Sequence, residues 1–254
     1  MLELFTEIRT KNVTSFPRWR CPKCKTGVLK CAKDDILKRE TTASKNAHQH
    51  EAFDFEWIEN SFAAFLRCDN NVCGGVLVAT GQAGVSERQY YDDQGATERD
   101  WIDHYTVSAV VPAPPLFMIK DCVPAKVSDH LEVVFALFWV DYSAALGRLR
   151  ICIEDILTER KIKRFSNSKG KRVAIQLHDR ILAFEKMNSV AAASLMAIKW
   201  VGNAGSHAGN LDAVDRDKVI EVLGIFEHAL DQIYDQKPKL LGRMIANINK
   251  NKGM

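Results

Sequence analysis

From Lys126 onward the apolar residues fall at helical spacing. Leu131, Val134, Phe138, Tyr142, Ala145, Leu149, Cys152 and Ile156 recur at steps of three and four. That pattern predicts one continuous α-helix of about seven turns with a single apolar stripe. Ser128 or Asp129 is suited to cap its start. The stripe stops at a basic stretch, where seven of the residues from Arg160 to Arg172 are Lys or Arg. This stretch reads as an exposed loop. Further helices are predicted at about 173–186, 189–201 and 215–234, followed by a basic, frayed tail from Lys237. Short links between four helices predict an antiparallel bundle.

The first half has a different rhythm. Phe53, Phe55, Trp57, Phe62 and Phe65 alternate at first and predict one or two strands, and Val76–Ala79 predicts another. Residues 32–52 are polar and read as a loop or irregular insertion. Residues 81–123 read as a connector with one strand, Tyr105 to Val111. Pro112, Pro114, Pro115 and Pro124 follow, and this density of proline favours extended backbone. The expected organisation is therefore a β domain over 1–80, a connector over 81–123, a helical bundle over 124–236 and a tail over 237–254.

Two cysteine pairs give the front third its chemistry. Cys21 and Cys24 are spaced Cys-Pro-Lys-Cys, and Cys68 and Cys73 are spaced Cys-x4-Cys before Gly74-Gly75. Each pair suits a knuckle, and two knuckles supply the four ligands of a closed tetrahedral zinc site. Knuckle, strands, knuckle, strand is the order of a zinc ribbon. The 43 residues between the pairs imply an insertion. Cys31, His48 and His50 lie near enough in sequence to compete for a ligand position. A four-thiolate site leaves no place for water, so the expected zinc is structural. Cys122 and Cys152 read as connector and helix-core residues.

Charge is unevenly spread. Residues 1–80 carry a net +2, residues 81–123 a net −4, and residues 124–254 a net +5. The basic excess lies in the helical half, where it favours a phosphate-bearing partner. Within the basic loop, Lys161, Lys163, Arg164, Lys169, Lys171 and Arg172 are the candidate nucleic-acid contacts. No stretch approaches the ~18 uninterrupted apolar residues of a membrane span. The opening residues lack a signal-peptide pattern. The expectation is a cytoplasmic protein with reduced thiols and no membrane partner.

The second chemical cluster is Lys199-Trp200-Val201-Gly202-Asn203-Ala204-Gly205-Ser206-His207. Lys199, Asn203 and His207 are spaced by four and share a face of a helix. Asp141, Arg148 and Asp155 recur at seven beside the apolar stripe, and Arg150 and Glu154 are placed to pair at i,i+4.

These stretches resemble a family of bacterial proteins known as domain of unknown function 4145. The resemblance rests on Pro124 and Val127, on Ala144-Ala145-Leu146-Gly147-Arg148-Leu149-Arg150 leading to Ile153-Glu154, and on the run from Lys199 to His207. That family looks like a branch of the HEPN (higher eukaryotes and prokaryotes nucleotide-binding) superfamily. The resemblance implies an α+β chain in which a zinc-ribbon-like β segment precedes an antiparallel, HEPN-like helical bundle, working as a homodimer. It also implies RNA or DNA, or a protein of a bacterial defence or restriction-linked system, as partner. Many HEPN proteins are metal-independent ribonucleases whose signature is Arg, four to six residues, then His. Here Asn203 and His207 match the polar residue and the His, but Gly202, Val201 and Trp200 occupy the Arg positions. Lys199 is the nearest cation in sequence, and Arg148 or Arg150 is the alternative source of charge. The implied site is therefore His207, Asn203, Lys199 and Arg148. The implied function is a binding module, or alternatively an endoribonuclease with His207 as general acid–base.

Overall fold

The computed structural model describes residues 7–10, 17–91, 94–204, 215–235 and 237–250. The chain is α+β, with an antiparallel sheet first and helices after it. It divides into two compact units. One comprises Met1–Met118 with Phe135–Asp141, and the other Ile119–Val134 with Tyr142–Met254.

The first unit is built on a five-stranded sheet in the order β1-β5-β4-β3-β2. The strands are β1 (Glu7–Thr10), β2 (Leu29–Glu40), β3 (Glu59–Cys68), β4 (Val76–Tyr91) and β5 (Thr97–Val111). Phe62, Ala64 and Leu66 alternate inward from β3, and Leu77 and Ala79 do so from β4. Tyr105, Val107 and Val110 join them from β5, and the Phe62 and Tyr105 rings meet edge to face with centroids 5.1 Å apart. Trp19 packs edge-on against Trp139, 5.3 Å between centroids, so the 135–141 segment closes this core.

Two sequence expectations are corrected in this unit. Residues 32–52 are not an irregular insertion. They hold most of β2 and then a short helix, α1 (Thr42–Ala47), capped by the Thr41 hydroxyl, which accepts from the Ser44 N–H at 3.2 Å. Residues 81–91 and 97–111 belong to the sheet as the greater part of β4 and all of β5, which pair from Val78↔Val111 out to Tyr91↔Thr97. The outer half of this arm is exposed on both faces, so pairing there asks for no apolar alternation.

The second unit is helical. The long predicted helix is two, α2 (Ala125–Leu137) and α3 (Tyr142–Glu159). The N–H groups of Val140 and Asp141 both bond to the Leu137 carbonyl, which ends α2. Phe138 and Trp139 are buried in the first unit's core, so their positions on the stripe are real but their role is to close that core. After α3 come α4 (Leu177–Glu185), α5 (Ser189–Ala204) and α6 (Arg216–Tyr234). Asp215 caps α6 by accepting from the Lys218 N–H at 2.8 Å. The core is formed by Ala145, Leu149, Cys152 and Ile156 of α3 with Ile181 and Phe184 of α4, Leu195 and Ile198 of α5, and Val222 and Phe226 of α6.

The basic loop is a hairpin. Strands β6 (Phe165–Ser168) and β7 (Lys171–Ala174) are joined by Lys169-Gly170, both at positive φ (49° and 75°). The expected helix at 173–186 accordingly begins only at Leu177. The tail is also more ordered in form than expected, because Lys237–Lys250 is a helix, α7.

Candidate functional sites: a four-thiolate centre and an arginine–asparagine pair

The first knuckle is a tight turn after a buried Trp19. The Cys21 N–H bonds to the Gly27 carbonyl and the Lys25 N–H to the Cys21 carbonyl, each at 2.9 Å. Lys25 takes a positive φ of 59° to complete it. The second knuckle repeats the device: Cys68 N–H bonds to Gly75 carbonyl at 2.8 Å, and Cys73 N–H to Asn70 carbonyl at 2.9 Å. The Asp69 carboxylate ties the two together by accepting from the Val28 N–H at 2.7 Å.

These turns bring Cys21, Cys24, Cys68 and Cys73 together, with their Sγ atoms all within 4.8 Å of one another. Cys24 and Cys68 are 3.6 Å apart through sulfur, and Cys21 and Cys73 are 3.7 Å apart. A tetrahedron with metal–sulfur bonds near 2.3 Å has sulfur–sulfur edges of about 3.8 Å. The spacing fits that polyhedron and is far longer than the ~2.05 Å of a disulfide. The Thr26 hydroxyl, with the backbone N–H groups of Gly27 and Thr26, holds the Cys24 thiol down to about 5. Burial pushes Cys68 up to about 12 and raises Cys73 as well. A cation at the centre reverses the burial effect, since a coordinated thiol is deprotonated.

The competing ligands are placed elsewhere. Cys31 is buried with its Sγ 3.5 Å from the Ala32 carbonyl, and burial raises its pKa to about 11. His48 bonds Glu40 at 2.7 Å through Nε2. His50 Nδ1 accepts from the Ala52 N–H at 3.2 Å. Among the described residues the metal-type cluster consists of the four cysteines.

In the helical unit the structure supplies an unexpected pairing. Arg150 does not pair with Glu154. Its guanidinium Nη1 donates to the Asn203 carboxamide oxygen, linking α3 to α5. Gly202 makes room, because a Cβ there would stand 3.0 Å from Arg150 Cδ. Glu154 is taken by Arg180 of α4, whose side chain is 1% exposed. The Arg180 guanidinium also donates to the Thr158 hydroxyl at 2.8 Å and to the carbonyls of Glu154 and Ile162 at 3.2 and 3.3 Å. No spacing rule points to Arg180, which is 26 residues from Glu154.

Lys199 is buried on α5, with its ammonium 3.5 Å from the Trp200 ring centroid. Arg148 sits on α3 with its Nε buried and unbonded among the described residues. His207 lies outside the described residues. Lys161, Lys163, Arg164, Lys169, Lys171 and Arg172 are all exposed on or beside the hairpin, and Arg172 lies over the Phe165 ring at 3.7 Å.

No helix among the described residues is long and apolar enough to cross a membrane. Neither a curated protein nor a solved structure matches the chain. Two family models do. Residues 10–108, which include both cysteine pairs, match a domain of unknown function (DUF8608), and residues 132–251, from within α2 through α7, match another (DUF4145).

Proposed function

We propose that the chain is an RNA-binding module whose β domain is closed by one structural zinc ion and whose helical domain contacts the phosphate backbone. A tetrahedral set of four thiolates selects zinc or iron, and a closed site in a chain with no further cysteine cluster among its described residues favours zinc. The metal would hold the two knuckles together and supply no reactive position.

The observation that supports the RNA reading is the Arg150–Asn203 pair. The position where the HEPN-type signature has its arginine is vacant in α5, and Arg150 brings a guanidinium to the same carboxamide from α3. Among the described residues Asn203 engages Nη1 alone, and a guanidinium presents a planar fork of further donors suited to a phosphate. The exposed cations of the β6–β7 hairpin belong to the same unit and offer further phosphate contacts. By resemblance, the setting is a bacterial defence or restriction-linked system and the working form is a homodimer.

Fluorescence anisotropy with a labelled RNA tests this. Affinity should fall steeply as salt rises, and Arg150→Ala should weaken it about tenfold while lowering the salt slope by roughly one. Salt-independent binding, or no binding at low salt, would reject the proposal.

The same pair favours a second reading, a metal-independent endoribonuclease. His207 would take the proton of an RNA 2′-hydroxyl, the oxygen would attack the adjacent phosphorus, and the 5′-oxygen would leave with a proton. Arg150 would neutralise the phosphate. Cleavage with Mg²⁺ chelated, leaving a 2′,3′-cyclic phosphate and lost in His207→Ala, selects this reading. Binding without cleavage selects the module.

A further inference from the structure

Helix α7 is the one long element whose described side chains, Leu240 to Lys250, are all exposed. Its apolar residues are not scattered. Leu240, Leu241, Met244, Ile245 and Ile248 are 53–59% exposed and recur at the spacing of one helical face. At 100° per residue they cover an arc of about 140°. Arg243 and Lys250 fall within about 20° of one another on the other side of the helix, outside that arc. From residue 237 to 254 the sequence has five Lys or Arg and no Asp or Glu.

Such a helix has little to hold it in water. Fourteen residues is near the limit for an isolated helix, and Gly242, Asn247 and Asn249 each lower its propensity further. An apolar surface to lie on is what would stabilise it.

Three occupants compete for that role. A second copy of α7 offers too small an interface, because five half-exposed side chains present on the order of 500 Å², below the roughly 800 Å² per partner of a stable contact. A groove in a partner protein would cover the apolar arc but leave the cationic side in solvent with nothing to pair with. A bilayer surface uses both faces. The apolar arc enters the acyl boundary while anionic headgroups surround the sides of the helix and reach its cations.

We propose that α7 is an interfacial helix that docks the protein on anionic phospholipid membranes without crossing them. This rests on α7 alone and is independent of the RNA reading.

The test is flotation of the full chain with vesicles of phosphatidylglycerol mixed with phosphatidylcholine, and with vesicles of phosphatidylcholine alone. The anionic vesicles should bind at least roughly tenfold more protein. The double change Ile245→Asp with Ile248→Asp touches only exposed side chains, and it should abolish flotation while leaving RNA affinity unchanged. Far-ultraviolet circular dichroism should show helix gained on adding anionic vesicles, and none gained by the double variant. Equal flotation of parent and double variant would overturn the proposal, since the contact would then lie on cations elsewhere. So would an absence of vesicle binding, whether or not the double variant changes the sedimentation coefficient; a change would identify a second copy as the occupant.

Discussion

Gly27→Ala is the most informative small perturbation of the thiolate centre. A Cβ at this position would stand 2.3 Å from Cys68 Sγ, with Asn70 Cβ at 3.1 Å and Asp69 Oδ1 at 3.2 Å. Carbon and sulfur normally approach to about 3.7 Å, so roughly 1.4 Å of separation must be created. A free thiol would simply rotate away. A zinc-bound sulfur cannot, because metal–ligand distances tolerate only about 0.2 Å. The variant must therefore give up the Cys68 ligand or shift the whole first knuckle. Structural zinc contributes on the order of 10–16 kcal/mol of binding free energy, and losing one of four thiolates should weaken affinity by at least about 100-fold. Competition with a chromophoric chelator measures this directly, and the melting temperature should fall with it. Gly74→Ala is the control. Its φ of +56° strains an alanine, but nothing lies within 4 Å of the added carbon. It should cost about 1 kcal/mol and leave zinc affinity near that of the parent. Parent-like zinc affinity and melting in Gly27→Ala would refute the reasoning, for the sulfurs would then not be held.

Two further outcomes are expected. With zinc bound, Cys122 should be the single fast-reacting thiol, because Cys31 and Cys152 are buried with thiols pushed up to about 11 and about 12. Chelation should expose four more, and a count of reactive thiols that ignores the chelator would contradict the site. Arg180→Met should destabilise the helical unit by about 2–4 kcal/mol in urea unfolding, since it leaves the Ile162 carbonyl and Thr158 hydroxyl without their donor. Stability equal to the parent would show that the buried cation is dispensable.

The parts legible in sequence are those set by short-range spacing. The two cysteine pairs signalled their turns because a knuckle is a local object. Helices α5 and α6 begin and end within a few residues of the predicted 189–201 and 215–234. The stripe from Leu131 to Ile156 was also correct in burial at every position except the half-buried Tyr142. Its continuity misled, since a step of four from Phe138 to Tyr142 fits an unbroken helix and a turn equally well. Strand β2 and the β4–β5 arm were missed because they are largely exposed and polar, so strand pairing left no period-two trace. The β6–β7 turn is Lys-Gly, which lacks the Asn-Gly or Asp-Gly signature of such hairpins. The Arg150–Asn203 and Arg180–Glu154 pairings join residues on different helices, and only the packing of those helices selects them over the i,i+4 pair of Arg150 with Glu154.

The central claim is that four sulfurs hold one metal ion in the β domain. Zinc K-edge X-ray absorption on the purified full chain, with elemental analysis of the same sample, tests it most directly. The account predicts one zinc per chain and a first shell of four sulfurs near 2.3 Å. A shell containing nitrogen or oxygen, or a substoichiometric metal with the cysteines paired as disulfides, would contradict it.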